Sequence, residues 1–308
     1  MNKVIEIIIP AYNEEACIEE LTTRLKQVFE IESKYNFQVF IIENGSTDST
    51  FEKLKKISQH DSRFKTVKLS RNFRMDGGLT AGLQLVTGDA CVLMTADLQD
   101  PPEAISIFLR EWELGWENVF GVVTKREGTG FIRTLNSKIF YLIAGKLSDG
   151  RIPRNGSDFR LVDKKVYEVV RNMTERNRFV RGLFAWVGFK SKGIPIHRPP
   201  RHAGVSKAHT LKVLDLALKG IFAHSYKPLR IITLFGLTLS GLSVLSLFPL
   251  IYLWVNTGVP FAGFGTIITL FLFLIGLITL MLGILSEYVG LIYEEVKQRP
   301  NFIISEIV

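Results

Sequence analysis

The sequence predicts an α/β domain built on a mostly parallel sheet, followed by a two-helix transmembrane hairpin. Three observations carry that prediction. Apolar, β-rich runs alternate with helical patterns through the first third of the chain, and a polar cluster follows each of three such runs. Farther on, no charged residue occurs from Ile231 to Ser286, a stretch far longer than a soluble core helix sustains.

A first strand, VIEIIIP, leads to a helix from about Glu14 to Ile31. FQVFIIE leads to a helix from about Asp48, FKTVKLS to a helix from about Gly78, and ACVLMT follows. Near-continuous apolar strands separated by helices are buried on both faces, which means a parallel sheet between helical layers. In such sheets ligands bind outside the carboxyl ends of the strands. PAYNEE, ENGSTDST and ADLQDPPE all fall there. Helix capping accounts well for Ser46, Thr47 and Asp48, but less well for three clusters at three strand ends.

Two later segments, FIRTLNSKIFYLIAGKL at 131–147 and AHTLKVLDLALKGIFAHSY at 208–226, carry apolar positions at helical spacing with basic residues among them. The first suits a membrane interface or packing against the large domain equally. The second leads straight into the charge-free stretch and suits the interface. A break from Asn256 to Pro260 divides that stretch into spans at about 231–255 and 264–286, each long enough for a bilayer core of about 30 Å. The expected organisation is a large domain over 1–207, a juxtamembrane amphipathic helix over 208–229, two spans within 230–286 and a tail over 287–308.

The N-terminal run MNKVIEIIIPAYNEE meets an acid too early for a secretory signal, so the large domain is expected to stay cytoplasmic. Lys227 and Arg230 precede the first span, Lys297 and Arg299 follow the second, and the turn between them has no Lys or Arg. The positive-inside rule places both flanks in the cytoplasm of a multi-pass protein of the inner (plasma) membrane. Cys17 and Cys91 fall in the cytosolic part and are expected to be free thiols. The net charge is +8, and much of the basic excess lies between residues 125 and 230, which suits an anionic lipid bilayer. No nucleic-acid motif accompanies it, so nucleic acid is not an expected partner. Gly236, Gly241, Gly276 and Gly283 in the spans suit packing of a homo-oligomer.

Residues 91–103, CVLMTADLQDPPE, place carboxylates at the mouth of a strand. Acids there, beside a Gly/Ser loop, suit a nucleotide diphosphate held through Mg²⁺ or Mn²⁺. At this point PAYNEE, ENGSTDST, ADLQDPPE, GSDFRLVD and RFVRGLFAWVGF, in that order, resemble the family 2 glycosyltransferases of the GT-A fold. The two spans and the ending SEYVGLIYEEVKQRPNFII narrow the resemblance to the polyprenyl-phosphate glycosyltransferases, the group of bactoprenol glucosyltransferase and dolichyl-phosphate mannose synthase.

The resemblance implies roles residue by residue. Pro10, Ala11, Tyr12 and Glu14 match the first nucleotide-binding loop, with Glu43 and Ser46 in the second. Glu43 and Asn44 stand where the family commonly has two aspartates. Asp97 and Gln99 match metal-contacting positions, and Thr95 replaces the first acid of the usual Asp-X-Asp, which weakens the metal site unless Glu43, Asp100 or the diphosphate compensates. Asp158 matches a carboxylate at the sugar-transfer site and is assigned a catalytic role with Asp97. Arg126, Arg133 and Ser137, then Arg181, Arg201 and Lys207, match positions near the lipid phosphate. As residue types alone, each of these cations suits anionic headgroups equally well, and Asp158 alone could be a capping or salt-bridged aspartate beside Arg160.

The implied function is inverting transfer of a sugar, glucose from UDP-glucose by resemblance to bacterial members, to undecaprenyl phosphate at the cytoplasmic face. The product would serve cell-envelope glycan modification. A polysaccharide-extending synthase is disfavoured, because no Gln-X-X-Arg-Trp motif follows residue 170. A silent nucleotide-sugar-binding or scaffold protein is the alternative that Glu43, Asn44 and Thr95 raise.

Overall fold

The structure, a computed structural model, describes residues 2–126, 156–198 and 263–308, with isolated helical positions between 232 and 256. The chain divides into two units, Met1–Ala217 with Gln298–Val308, and Leu218–Lys297.

In the first unit the elements run β1 (Val4–Ala11), α1 (Ile18–Ile31), β2 (Asn36–Glu43), α2 (Thr50–His60), β3 (Phe64–Leu69), α3 (Arg74–Leu85), β4 (Ala90–Leu93) and α4 (Ala104–Glu113). They continue as β5 (Asn118–Arg126), β6 (Gly156–Asp163), α5 (Lys164–Asn172), α6 (Val180–Trp186) and β7 (Ser191–Arg198). α7 (Phe264–Lys297) belongs to the second unit, and β8 (Ile304–Ile307) returns to the first. The eight strands form one sheet in the order β7-β5-β6-β4-β1-β2-β3-β8. β1 pairs in parallel with β2 and β4, and β2 with β3. β6 runs antiparallel between β4 and β5, β7 lies parallel to β5, and β8 closes the β3 edge antiparallel.

The unbroken apolar run of β1 follows from helices on both faces. Ile5, Ile7 and Ile9 pack with Leu21 and Leu25 of α1 and Phe108 of α4, while Ile8 joins Leu79 and Leu83 of α3 on the opposite face. Successive strand residues point to opposite sides, so both sets must be apolar. α3 crosses β1 closely at two glycines. A Cβ at Gly82 would stand 2.2 Å from Ile8 Cγ2, and one at Gly78 3.0 Å from Pro10 Cβ.

Helix starts differ from those expected. α1 begins at Ile18, because Glu14 is held in the preceding loop by its N–H donating to Thr50 Oγ1 at 3.0 Å. α2 begins at Thr50, whose N–H Asp48 Oδ1 accepts at 3.0 Å. α3 begins at Arg74, four residues before the expected Gly78, since its glycines serve close packing rather than the helix start.

Within the expected tail over 287–308, α7 runs on through Lys297, and the last residues join the sheet: Val67 pairs with Ile307 and Lys68 with Glu306. At 1.5 Å per residue α7 is about 51 Å long, well beyond a bilayer core of about 30 Å. Among the described residues it supplies one candidate span, Phe273–Lys297, of mean hydropathy 2.0 and with none of it buried. The amphipathic segments at 131–147 and 208–226, and most of the expected first span, lie outside the described residues.

Candidate active site

Strand register gathers the polar clusters. Ala11 lies opposite Glu43, Ile8 opposite Leu93, and Leu93 opposite Arg160. The carboxyl ends of β1, β2 and β4 therefore share one sheet edge with the amino end of β6, where Asp158 sits.

The first two loops are stitched together. Thr47 N donates to Asn13 Oδ1 at 2.8 Å, Asn13 Nδ2 donates to Thr47 Oγ1 at 3.2 Å, and Ser46 Oγ accepts from Asn13 N at 3.0 Å. Glu43, fully buried, accepts from Ser46 N through Oε1, while its Oε2 is buried without a partner among the described residues. Asn44 works elsewhere. Its Oδ1 accepts from Phe73 N at 2.8 Å and its Nδ2 donates to Arg74 O at 2.7 Å, holding Arg74 at a left-handed φ of 63°. An aspartate could not make the second bond, so the amide at this position has a structural reason.

Thr95 has one too. Its hydroxyl lies 2.7 Å from Asp97 Oδ1 and 2.8 Å from Asp100 Oδ2, and its N–H donates to Asp100 Oδ2 at 3.1 Å. A third acid here would face two carboxylates where the hydroxyl now donates. Leu98 sits at φ 57°, a backbone that a bulky residue rarely adopts, and Gln99 N donates back to Asp97 Oδ1 at 3.3 Å. Asp100 is fully buried and committed to Arg198, whose Nη2 and Nε donate to Oδ1 at 2.6 and 3.0 Å. Arg198 also donates to Ser157 Oγ at 3.0 Å, which ties the end of β7 to the start of β6.

Asp158 is gripped from α6. Arg181 donates through Nε to Oδ1 at 2.8 Å and through Nη2 to Oδ2. Burial alone would push this carboxyl up, but the charge and hydrogen bonds of Arg181, with help from Arg160 and Arg198, hold it below the ordinary carboxylate value. Arg160 itself turns to main chain, donating to Ser157 O at 3.0 Å, and burial lowers its guanidinium to about 10. A second carboxyl nearby behaves differently. Burial pushes Asp76 up to about 6, with Asp158 adding to the shift and Val180 N–H, Arg181 and Arg178 opposing it.

The structure thus brings Pro10, Ala11, Tyr12, Glu14, Glu43, Ser46, Asp97, Gln99 and Asp158 to one edge of the sheet. Arg181 is beside them, but it holds Asp158 rather than an open phosphate site. Arg126 ends β5, and its side chain lies outside the description. Arg133, Ser137, Arg201 and Lys207 lie outside the described residues. Sequence reasoning missed Asp76, Ser157 and Arg198 as parts of this neighbourhood. Ser157 lies within GSDFRLVD, but its contact with Arg198 is not visible there; Asp76 and Arg198 fall in none of the quoted motifs, and each of the three meets its partner across a long stretch of chain.

Among the described residues no group of three or more His, Cys, Asp or Glu side chains is arranged to hold a metal ion. Asp97 and Gln99 still offer an oxygen-only pair, which fits Mg²⁺ or Mn²⁺ completed by phosphate oxygens and water. Asp100, taken by Arg198, is not part of such a set.

Residues 6–171, more than half of the chain, match the family model of glycosyl transferase family 2. The chain belongs to that family. This glycosyltransferase is 38% identical over 300 residues to a Bacillus subtilis (strain 168) protein named uncharacterized glycosyltransferase YkcC, over 97% of this chain and 93% of the relative. It is 33% identical over 302 residues to a Shigella flexneri protein named SfII prophage-derived bactoprenol glucosyl transferase, over 98% and 97% of the two chains. Among solved structures, mannosyl-3-phosphoglycerate synthase from Rubrobacter xylanophilus superposes with a TM-score of 0.50 at 14% identity, over 76% of this chain and 75% of that one. That likeness concerns the fold, and it agrees with the GT-A-like sheet of this glycosyltransferase.

Proposed function

We propose that this glycosyltransferase moves a sugar, glucose from UDP-glucose, onto a polyprenyl phosphate such as undecaprenyl phosphate at the cytoplasmic membrane face. The observation that carries the reading is the near-full-length relationship, apolar C-terminal region included, to proteins named bactoprenol glucosyl transferase. An oxygen of the lipid phosphate attacks the anomeric carbon, the bond from that carbon to the nucleotide diphosphate breaks with inversion, and the diphosphate keeps the electron pair. A phosphate monoester is largely ionised near neutral pH, so no strong base is required. Asp158, neutralised by Arg181, suits orientation of the sugar or acceptor better than proton removal. Glu43 and the 10–14 loop are assigned to the nucleoside. Asp97 and Gln99 would hold a divalent cation, which when bound offsets charge on the leaving diphosphate. Arg126, Arg133, Ser137, Arg201 and Lys207 are assigned to the lipid phosphate.

For the membrane part, what supports a hairpin is the continuity of the sheet. Residues on both sides of the second unit pair within it, so the chain between them crosses a bilayer an even number of times. With α7 as one crossing, the charge-free residues 231–255 supply the other, and the assembly of copies through glycines in these helices follows as part of the same proposal.

The test is direct. Membranes carrying the full chain, given labelled UDP-glucose, undecaprenyl phosphate and Mg²⁺ or Mn²⁺, should place acid-labile label in the lipid phase. Absence of lipid-linked label with every UDP-sugar and metal tried would leave the silent binding protein as the better account.

A further inference from the structure

Asp76 belongs to none of the motifs behind the functional reading, yet its carboxylate supports the pair at the centre of the site. Its Oδ1 accepts from Val180 N at 2.9 Å across 104 residues of chain. Val180 opens α6, and the capping residue Phe179 makes no side-chain cap. A helix-start amide needs an acceptor from elsewhere, and α3 supplies it. The next residue is Arg181, which grips Asp158.

The turn that presents Asp76 is itself held. Thr80 Oγ1 donates to Asp76 O at 2.7 Å, Asn44 holds the main chain at Phe73 and Arg74, and a Cβ at Gly77 would stand 3.1 Å from Asn301 O. Asn301 also donates to Glu175 O at 3.1 Å, just ahead of α6. The first turns of α3 and α6 and the C-terminal tail therefore meet in one supporting layer.

We propose that Asp76 is a positioning residue for the transfer reaction: it pins the first turn of α6 and so sets how Arg181 holds Asp158. This rests on the sugar-transfer reading above. The charged groups facing Asp76 are Asp158 on β6, Arg181 on α6 and Arg178 just before it, so its ionisation acts on the pair it positions. The carboxyl titrates at about 6. Above that pH an anionic acceptor holds Val180 N–H more strongly than the neutral acid does below it.

Two measurements on purified full-length protein in nanodiscs test the proposal. The first is hydrogen exchange of the peptide covering Val180–Trp186, corrected for intrinsic rates. Wild-type protection should fall as the pH drops through about 6, Asp76→Asn should remove that pH dependence, and Asp76→Ala should lower protection at every pH. The second is the transfer rate from UDP-glucose to undecaprenyl phosphate. The ratio of wild type to Asp76→Asn should rise from about 1 at pH 5 to roughly 3- to 10-fold at pH 7.5, as expected when a charged acceptor replaces a neutral one. The KM for UDP-glucose should not move, and Asp76→Glu should restore the pH dependence. Acceptor ionisation is common to both proteins and cancels in the ratio. A ratio flat across pH, or protection of α6 indifferent to Asp76, overturns the proposal. If wild type transfers no sugar, the functional reading fails, and the exchange measurement alone decides whether Asp76 pins α6.

Discussion

Arg181 and Asp158 form a two-pronged ion pair, with Nε on Oδ1 at 2.8 Å and Nη2 on Oδ2, each side chain 21% exposed. A carboxylate held this way is a poor proton acceptor and a rigid orienting group.

Arg181→Ala should therefore cost stability in a pH-dependent way. In wild type the Asp158 carboxyl is held low, so its contribution is present above the ordinary unfolded value near pH ~4 and is lost as the pH falls. Without Arg181, burial raises that carboxyl, and the penalty is largest at neutral pH. We expect a loss of roughly 2 to 3 kcal/mol at pH 7.5, below the range for a fully buried pair, shrinking towards pH 4. Thermal unfolding of the full chain at both pH values checks it, and an equal loss at each would speak against the pair.

Thr95→Asp is expected to add a ligand and a conflict together. The new carboxylate would meet Asp97 and Asp100 where the Thr95 hydroxyl, with its one proton to donate, now lies 2.7 and 2.8 Å from their oxygens. The variant should unfold earlier than wild type in chelator and recover more on adding Mn²⁺, because a cation that binds only the folded state stabilises it by mass action. A metal-induced rise no larger than that of wild type would remove Asp97 from the metal assignment.

Asn44→Asp introduces the acid that the family resemblance implies at this position, yet it should weaken the protein. Nδ2 donates to Arg74 O at 2.7 Å, and replacing that donor by a carboxylate sets two acceptors against each other at a cost of about 1 to 3 kcal/mol. UDP affinity, read by calorimetry, should not improve. Tighter UDP binding without loss of stability would show that Asn44 serves the nucleotide after all.

Topology is open to chemical labelling. A cysteine at Thr257, in the turn between the two proposed spans, should react with an impermeant thiol reagent added to intact cells. Cys17 and Cys91 are both buried, and burial pushes the Cys91 thiol well up, so background should be low. Reaction only after permeabilisation would reverse the orientation.

Much of the architecture was legible in the chain before any coordinates. The apolar runs of β1, β2 and β4 must be buried on both faces, and that dictates a covered, mostly parallel sheet whose strand ends gather PAYNEE, ENGSTDST and ADLQDPPE at one edge. The absence of charge over Ile231–Ser286 marked an apolar region, of which the first part of α7 and isolated helical positions between 232 and 256 are described. These features are local or periodic, so one window of sequence contains them.

Helix starts and partners were not legible, because each depends on groups far away in sequence. Gly78 looked like a helix start, but packing of α3 on Pro10 and Ile8 makes it a contact residue inside the helix. No pattern in the tail showed a partner, and it is the main chain of β3 that gives Ile304–Ile307 a place to bond.

The order of residues, by itself, determined the sheet, the edge where its polar clusters gather and the apolar region, and its motifs carried the resemblance to the family. Only the tertiary structure decided what each polar side chain does there. Thr95 serves Asp97 and Asp100, Asn44 serves Arg74, Arg181 is spent on Asp158, and Asp76 reaches Val180. The physical reason is that a buried polar group must find a partner wherever the fold brings one, and for these residues the partner is set by the packing of strands and helices rather than by sequence neighbours.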